Sequence, residues 1–184
     1  MRLCHLTLAI ATVAITVPAL GQDAPQLAPS GRGTSTVSEM VEGDATPRII
    51  RLDWGQPHLR GRALHTDSLV PFGQVWRTGA NDITTLHSDF DLMLGTTHLP
   101  AGDYAIFTLP SPDGWQLIVQ RETGPTAANY DASQDLARIP LRQRTLATPL
   151  ESLTMWLVPD RDAARGQLRL AWGTTELATD WSVM

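Results

Sequence analysis

The chain has 184 residues, a formal net charge of −5 and 14 basic residues, all of which are arginine. An acidic balance disfavours nucleic acid as a partner, and we expect none. The length suits one domain once an N-terminal segment is set aside.

The first 21 residues have the pattern of a secretory signal peptide. Arg2 precedes an apolar run over residues 6–17, and small residues lead to an expected cleavage site near Gly21. The apolar run is shorter than the roughly 20 residues of a membrane span, and no later segment approaches that length. We therefore predict a periplasmic or secreted protein with no membrane span. Cleavage would remove Cys4, the only cysteine, so we expect a cysteine-free mature chain without disulfides or thiol chemistry.

Residues 22–47 are expected to form a flexible linker. They are rich in Pro, Gly, Ser, Thr and Ala and show no sustained hydrophobic period. Within this stretch, residues 35–41 have enough β character to form an edge strand. We place the domain itself at residues 48–184.

Alternation of apolar and polar residues predicts strands through the rest of the chain. Ile50, Leu52 and Trp54 alternate with Arg51 and Asp53, as a half-buried strand requires. Pro and Gly turn signals separate similar segments, and only residues 132–137 suggest a helical turn. The pattern predicts an all-β fold, a single antiparallel β-sandwich of about eight or nine strands, with a barrel as the alternative. The further strands are expected at residues 84–86, 90–94, 104–109, 115–120, 138–141, 153–157, 168–172 and 177–183.

The segment Leu-Pro-Ala-Gly-Asp-Tyr at residues 99–104 predicts a tyrosine corner. A Pro/Gly turn leads directly into Tyr104 at the start of a strand. In this arrangement the tyrosine hydroxyl bonds to backbone upstream and fixes a crossover between sheets.

The most unusual string of the sequence is Val-Pro-Phe-Gly-Gln-Val-Trp-Arg-Thr-Gly-Ala-Asn-Asp at residues 70–82, shortly after Gly61 and Arg62. Together with the segment at residues 99–104, in this order, it resembles the bacterial domain-of-unknown-function family 2911 over roughly residues 48–183. The resemblance implies an exported, mostly β domain. It implies no reaction.

The same string supplies the ligand-binding candidates Arg62, Trp76, Arg77, Asn81 and Asp82. In one interpretation Arg77 is buried and its guanidinium binds loop carbonyls or Asp82, while Asn81 caps the turn. In the other, Arg62, Arg77 and Asn81 converge on a pocket for an anionic or carbonyl-bearing ligand, with Asp82 as a base. We expect the buried arrangement, because polar groups inside domains are normally paired.

A metal site is not expected, and neither is a cofactor. The only candidate ligands with regular spacing are His87, Asp89 and Asp91, which would share one face of a strand. A solvated polar face that discourages edge pairing explains this pattern better.

Trp156 is the tryptophan best suited to an exposed, sugar-stacking position. It is out of phase with Leu153, Met155 and Leu157, whereas Trp54 and Trp172 lie on the apolar side of their strands. A strand buried on both faces is the alternative explanation.

The sequence contains no Gly-x-Ser-x-Gly elbow, phosphate-binding Gly-rich loop or His-Glu-x-x-His motif. We therefore predict a non-catalytic binding or envelope-associated module, whose partner is a small molecule, a glycan or an envelope component. Whether the chain is an enzyme stays open. The alternatives are an extracytoplasmic hydrolase with an arginine-lined anion pocket at Arg62 and residues 77–82, and a purely structural domain.

Overall fold

A computed structural model describes residues 30–121, 130–161 and 164–184. The predicted signal peptide lies outside the described residues. Within the described part, no helix is long and apolar enough to cross a membrane. The described residues form nine strands and one 3₁₀ turn: β1 (Gly31–Glu39), β2 (Arg48–Gln56), β3 (Thr84–Ser88), β4 (Leu92–Leu94), β5 (Thr97–Leu99), β6 (Gly102–Leu109), β7 (Trp115–Arg121), the turn Ala132–Gln134, β8 (Asp135–Pro159) and β9 (Arg165–Val183).

The strands pair antiparallel in the order β1-β2-β3-β6-β7-β8-β9-β4-β5. β8 belongs to both layers, because its first residues pair with β7 and the remainder pairs with β9. One layer contains β1, β2, β3, β6 and β7, and the other contains β9, β4 and β5. The predicted all-β sandwich is confirmed.

The long strand β9 folds back on itself at Gly173. Nineteen residues of straight strand would span roughly 60 Å, yet the Val183 N–H donates to the Ala164 carbonyl at 2.7 Å. Gly173 has φ +58°, a backbone conformation that residues with a side chain rarely adopt. β8 pairs with both arms of β9, and its register shifts between Thr145 and Leu150. β8 and β9 therefore form one long hairpin that is folded over, and its four arms contain the strands expected at residues 138–141, 153–157, 168–172 and 177–183.

The sheet begins earlier in the chain than expected. β1 pairs with β2 along its whole length, so the edge strand predicted at residues 35–41 starts at Gly31 and lies within the stretch assigned to linker. Gly33 permits this contact, because a Cβ there would lie 2.3 Å from the indole of Trp54. The large side chain is on β2, and β1 contributes the small residue facing it.

The described residues form two apolar cores, of which one joins the two layers and the other packs a loop onto the sheet. The larger lies between the layers and contains most buried aromatic residues, including Trp54 and Trp172 as predicted. The smaller lies on the opposite face of β6 and β7 and consists of Ile83, Ala105, Phe107 and Ile118, with Val75 and Tyr130 packed against it. β6 is thus buried on both faces, and the loop between β2 and β3 covers its outer side.

The predicted tyrosine corner is present. The Tyr104 side chain is fully buried, and its hydroxyl donates to the Pro100 carbonyl. Burial raises the pKa of Tyr104, which keeps the hydroxyl protonated as a donor.

Candidate functional site

The segment at residues 70–82 lies along the free edge of β6. β3 pairs with β6 only between Gly102 and Ile106, so the edge is open at Thr108. Trp76 fills it: its N–H and carbonyl each form a 2.8 Å backbone bond with Thr108. The segment therefore extends the sheet where β3 has not yet begun.

The Trp76 side chain points towards the larger core. Its ring stacks on Trp172, with centroids 5.7 Å apart and an interplanar angle of 20°. The two rings border an apolar cavity of only about 10 Å³, which is about the space one water needs. Trp76, a ligand-binding candidate, thus packs against the fold on this side.

Thr78 anchors the segment from within. Its side chain is fully buried, and its hydroxyl donates to the Thr108 hydroxyl at 3.1 Å. The Thr78 carbonyl accepts from the Thr84 hydroxyl at 2.9 Å. Thr78 has φ +55°, an unfavourable conformation for a β-branched residue. These bonds hold the strained backbone in place.

The next residues lie directly on β2. The Ala80 N–H donates to the Gly55 carbonyl at 3.2 Å. A Cβ on Gly55 would be 1.7 Å from the Ala80 carbonyl oxygen, so only glycine allows this approach.

Arg77 itself is exposed to solvent. It forms no hydrogen bond or ion pair in the part of the chain that the structure describes. The expectation that Arg77 is buried is wrong, because Trp76 and Thr78 take the inward positions and the residue between them faces outward. The Arg77 guanidinium is therefore unpaired within the described residues, and it lies on a segment that Trp76 and Thr78 hold against β6.

The other candidates have partners of their own. The Arg62 guanidinium donates to the carbonyls of Leu59 and His58, each at 2.9 Å. The amide of Asn81 donates to the Ser30 carbonyl at 3.3 Å. Asp82 is 70% exposed and forms an ion pair with Arg32 at 3.2 Å. Among the described residues, no hydrogen bond or ion pair connects any of these three candidates to Arg77, so the convergent pocket is not seen.

His87, Asp89 and Asp91 do not share a strand face, because β3 ends at Ser88. The His87 ring bonds Asp103 at 2.7 Å and Asp89 at 3.2 Å. Within the described ranges, no group of three or more metal-ligating side chains is assembled.

Asp91 belongs to a different network. It accepts from the Ala101 N–H at 2.8 Å and contacts His98 at 3.3 Å. The bond from Ala101 lowers the pKa of Asp91, and a bond from the Ile49 N–H does the same for the pKa of Asp89. Both carboxylates thus act as acceptors for backbone N–H groups, one on β2 and one in the turn before β6.

Trp156 is half-buried and lies opposite Arg169 on β9. The Arg169 guanidinium donates twice to the Gln167 side-chain oxygen, at 2.8 and 2.6 Å. Because Trp156 is half-buried, it is not a freely exposed platform.

Sequence reasoning missed a cleft of about 390 Å³ at the end of the sandwich. Its apolar floor is made by Val37, Ile50, Phe90, Trp181 and Val183, and its rim includes Glu39, Asp160 and Arg161. The lining comes from distant parts of the chain, so no motif marks it. Alternation alone indicated that Ile50 faces inward.

The fold and these features define an all-β sandwich whose segment at residues 70–82 presents Arg77 to solvent. A family model described as "Protein of unknown function (DUF2911)" matches residues 35–180. The chain belongs to this family, as the motifs at residues 70–82 and 99–104 predicted. The comparisons found no significant match among curated proteins or solved structures.

Proposed function

We propose that this protein is an exported, non-catalytic binding module that uses Arg77 to bind an anionic ligand. The ligand is a small molecule or glycan carrying a carboxylate or phosphate, because the planar guanidinium forms two parallel bonds with such groups. Export is proposed from the signal-peptide pattern of the first 21 residues.

One observation carries the proposal. Arg77 has no partner within the described residues, although Trp76 and Thr78 on either side are bonded to β6. A binding residue held on a rigid segment loses little freedom when a ligand arrives.

Hydrolysis is not proposed. It would require a base beside the anion-binding group, but the Asp82 carboxylate pairs with Arg32. No contact in the described part joins Asp82 to Arg77.

Thermal-shift screening tests the binding proposal. Citrate, inorganic phosphate and oligogalacturonate are added to the wild-type protein and to Arg77→Ala and Arg77→Lys. We expect at least one probe to raise the wild-type Tm, no shift with Arg77→Ala, and a reduced shift with Arg77→Lys, which keeps the charge but loses the two-donor geometry.

Arg121→Ala is the matched control. Arg121 is also exposed, but it lies opposite Tyr104, at the other end of β6 from Thr108. Loss of the shift in Arg121→Ala as well, or equal shifts in the wild type and Arg77→Ala, would refute a specific role for Arg77.

A further inference from the structure

The end of the sandwich brings a free strand edge next to the apolar cleft. Within residues 30–121, 130–161 and 164–184, β1 is the last strand of the sheet and pairs only with β2. On its other side lies the end of β8. The bond that joins these two strands is from the Leu157 N–H to the Ser35 hydroxyl at 3.0 Å. Among the residues that the structure describes, this side-chain bond joins the two strands without a backbone ladder. The β1 edge beyond Ser35 therefore keeps backbone groups available.

Beyond this bond the two strands form opposite walls of the cleft. β1 supplies Val37, Ser38 and Glu39, and the end of β8 with the following turn supplies Pro159, Asp160 and Arg161. Pro159 has no N–H to donate. β1 is therefore the wall that can pair with a further strand.

The floor between the walls is part of the larger core. Val37 pairs with Ile50 across the two strands, and Phe90 and Trp181 continue the apolar surface. The Trp181 indole N–H is buried without an acceptor among the described residues, which is uncommon inside proteins. The volume of about 390 Å³ lies in the range of ligand sites, roughly 300–1,000 Å³.

We infer that this cleft binds an extended peptide, which adds a strand to the free edge of β1 and places an apolar side chain on the floor. Backbone hydrogen bonds supply affinity in this mode, and the floor selects apolar residues at alternate positions. The rim carries Glu39 and Arg161, and neither side chain forms a hydrogen bond or ion pair in the described part. Charges of both signs complement a polypeptide better than an anion or a purely apolar molecule.

The test uses a library of random decapeptides displayed on phage and selected against protein purified from a host that expresses the full chain. The enriched peptide is synthesised with a fluorophore, and its Kd is measured by fluorescence anisotropy. Two further versions carry N-methyl groups on alternate residues, so that each blocks one edge of the bound strand. We expect one version to bind at least tenfold more weakly and the other to bind as the parent does.

Backbone amide NMR shifts give the location without a variant that could misfold. If the peptide binds in the cleft, the amide shifts should be concentrated at residues 36–39, 50, 90 and 181–183. Phe90→Ala should weaken binding at least fivefold while its Tm shows that it remains folded. An enriched pool without a binding peptide, equal Kd values for both methylated versions, or shifts confined to the Arg77 segment would overturn the inference. An acetylated leucine amide that binds as tightly as the peptide would also overturn it, because binding would then need no added strand.

Discussion

Among single residues, Thr78 fixes the segment at residues 70–82, whereas the neighbouring Arg77 is exposed to solvent. Its backbone is in the left-handed region at φ +55°, and its buried hydroxyl bonds the Thr108 hydroxyl and the Trp76 carbonyl. A β-branched residue stays in this conformation only when its surroundings enforce it. The strain is thus located beside the residue that we propose binds the ligand.

Thr78→Val tests this anchoring. Valine keeps the branched shape, but it leaves the buried Thr108 hydroxyl without this partner, which should lower the free energy of unfolding by about 1–3 kcal/mol. Urea unfolding measures the change. Thr36→Val on the exposed face of β1 is the control and should be nearly neutral. A neutral Thr78→Val would mean that the hydroxyl bonds do not hold the segment.

At the scale of elements, the contact between β2 and the β2–β3 segment depends on Gly55. A Cβ at this position would lie 1.7 Å from the Ala80 carbonyl oxygen, whereas one at Gly31 would meet nothing within 4 Å. The Ala80 carbonyl is backbone, so it cannot move aside to make room for a Cβ as a flexible side chain could. The two strands therefore provide a matched pair of glycines.

Gly55→Ala should destabilise the protein by about 3 kcal/mol or more, because the segment must move away from β2. Gly31→Ala should change stability by less than about 0.5 kcal/mol. Thermal and urea unfolding of the two variants give the comparison. Equal stabilities would show that the segment does not pack on β2 as described.

Most strands could be predicted from the sequence because each buries one face. Ile50, Leu52 and Trp54 are all buried, as their alternation indicated. The sequence pattern predicts the start of β1 four residues after its actual start at Gly31, because the residues of β1 are mostly small and polar. Its stability comes from pairing with β2, which local composition does not report.

The candidate site was less predictable for a similar reason. Unusual residue types mark the segment at residues 70–82, but exposure depends on which of its side chains turn towards the rest of the fold. The Trp76 ring stacks on Trp172 and the Thr78 hydroxyl bonds Thr108, whereas Arg77 faces solvent. The cleft at Trp181 was beyond sequence reasoning, since strands distant in the chain line it.

At the scale of the whole molecule, paired carboxylates determine the response to acid. Glu176 is almost buried, with 6% of its side chain exposed, and accepts two 2.7 Å bonds from Arg144. These bonds, opposed by burial, lower the pKa of Glu176 from its ordinary value of 4.5. Bonds to other groups also lower the pKa values of Asp89, Asp91, Asp131, Asp135 and Asp180.

A carboxylate with a lowered pKa in the folded state stabilises the protein above its unfolded pKa, and this contribution disappears as the pH falls through the folded pKa. We therefore expect the free energy of unfolding to decline below about pH 4.5. Glu176→Gln should be less stable than the wild type at pH 7 and should lose less stability on acidification. Urea unfolding at pH 7, 5, 4 and 3 measures this.

Asp113→Asn is the control, because the exposed Asp113 side chain forms no ion pair within the described residues. Its pH profile should follow that of the wild type. If Glu176→Gln also follows the wild type, the Glu176–Arg144 pair does not contribute to acid sensitivity.

Trp76 and Thr78 fix the segment at residues 70–82, and we propose that the exposed Arg77 is thereby available to a ligand. The most direct test is the free energy of unfolding of Arg77→Ala, measured by urea denaturation without ligand. An exposed arginine without a partner should cost less than about 0.5 kcal/mol. A loss of about 3 kcal/mol or more, as expected when one partner of a buried charge network is removed, would contradict the account and make Arg77 part of the structural anchor.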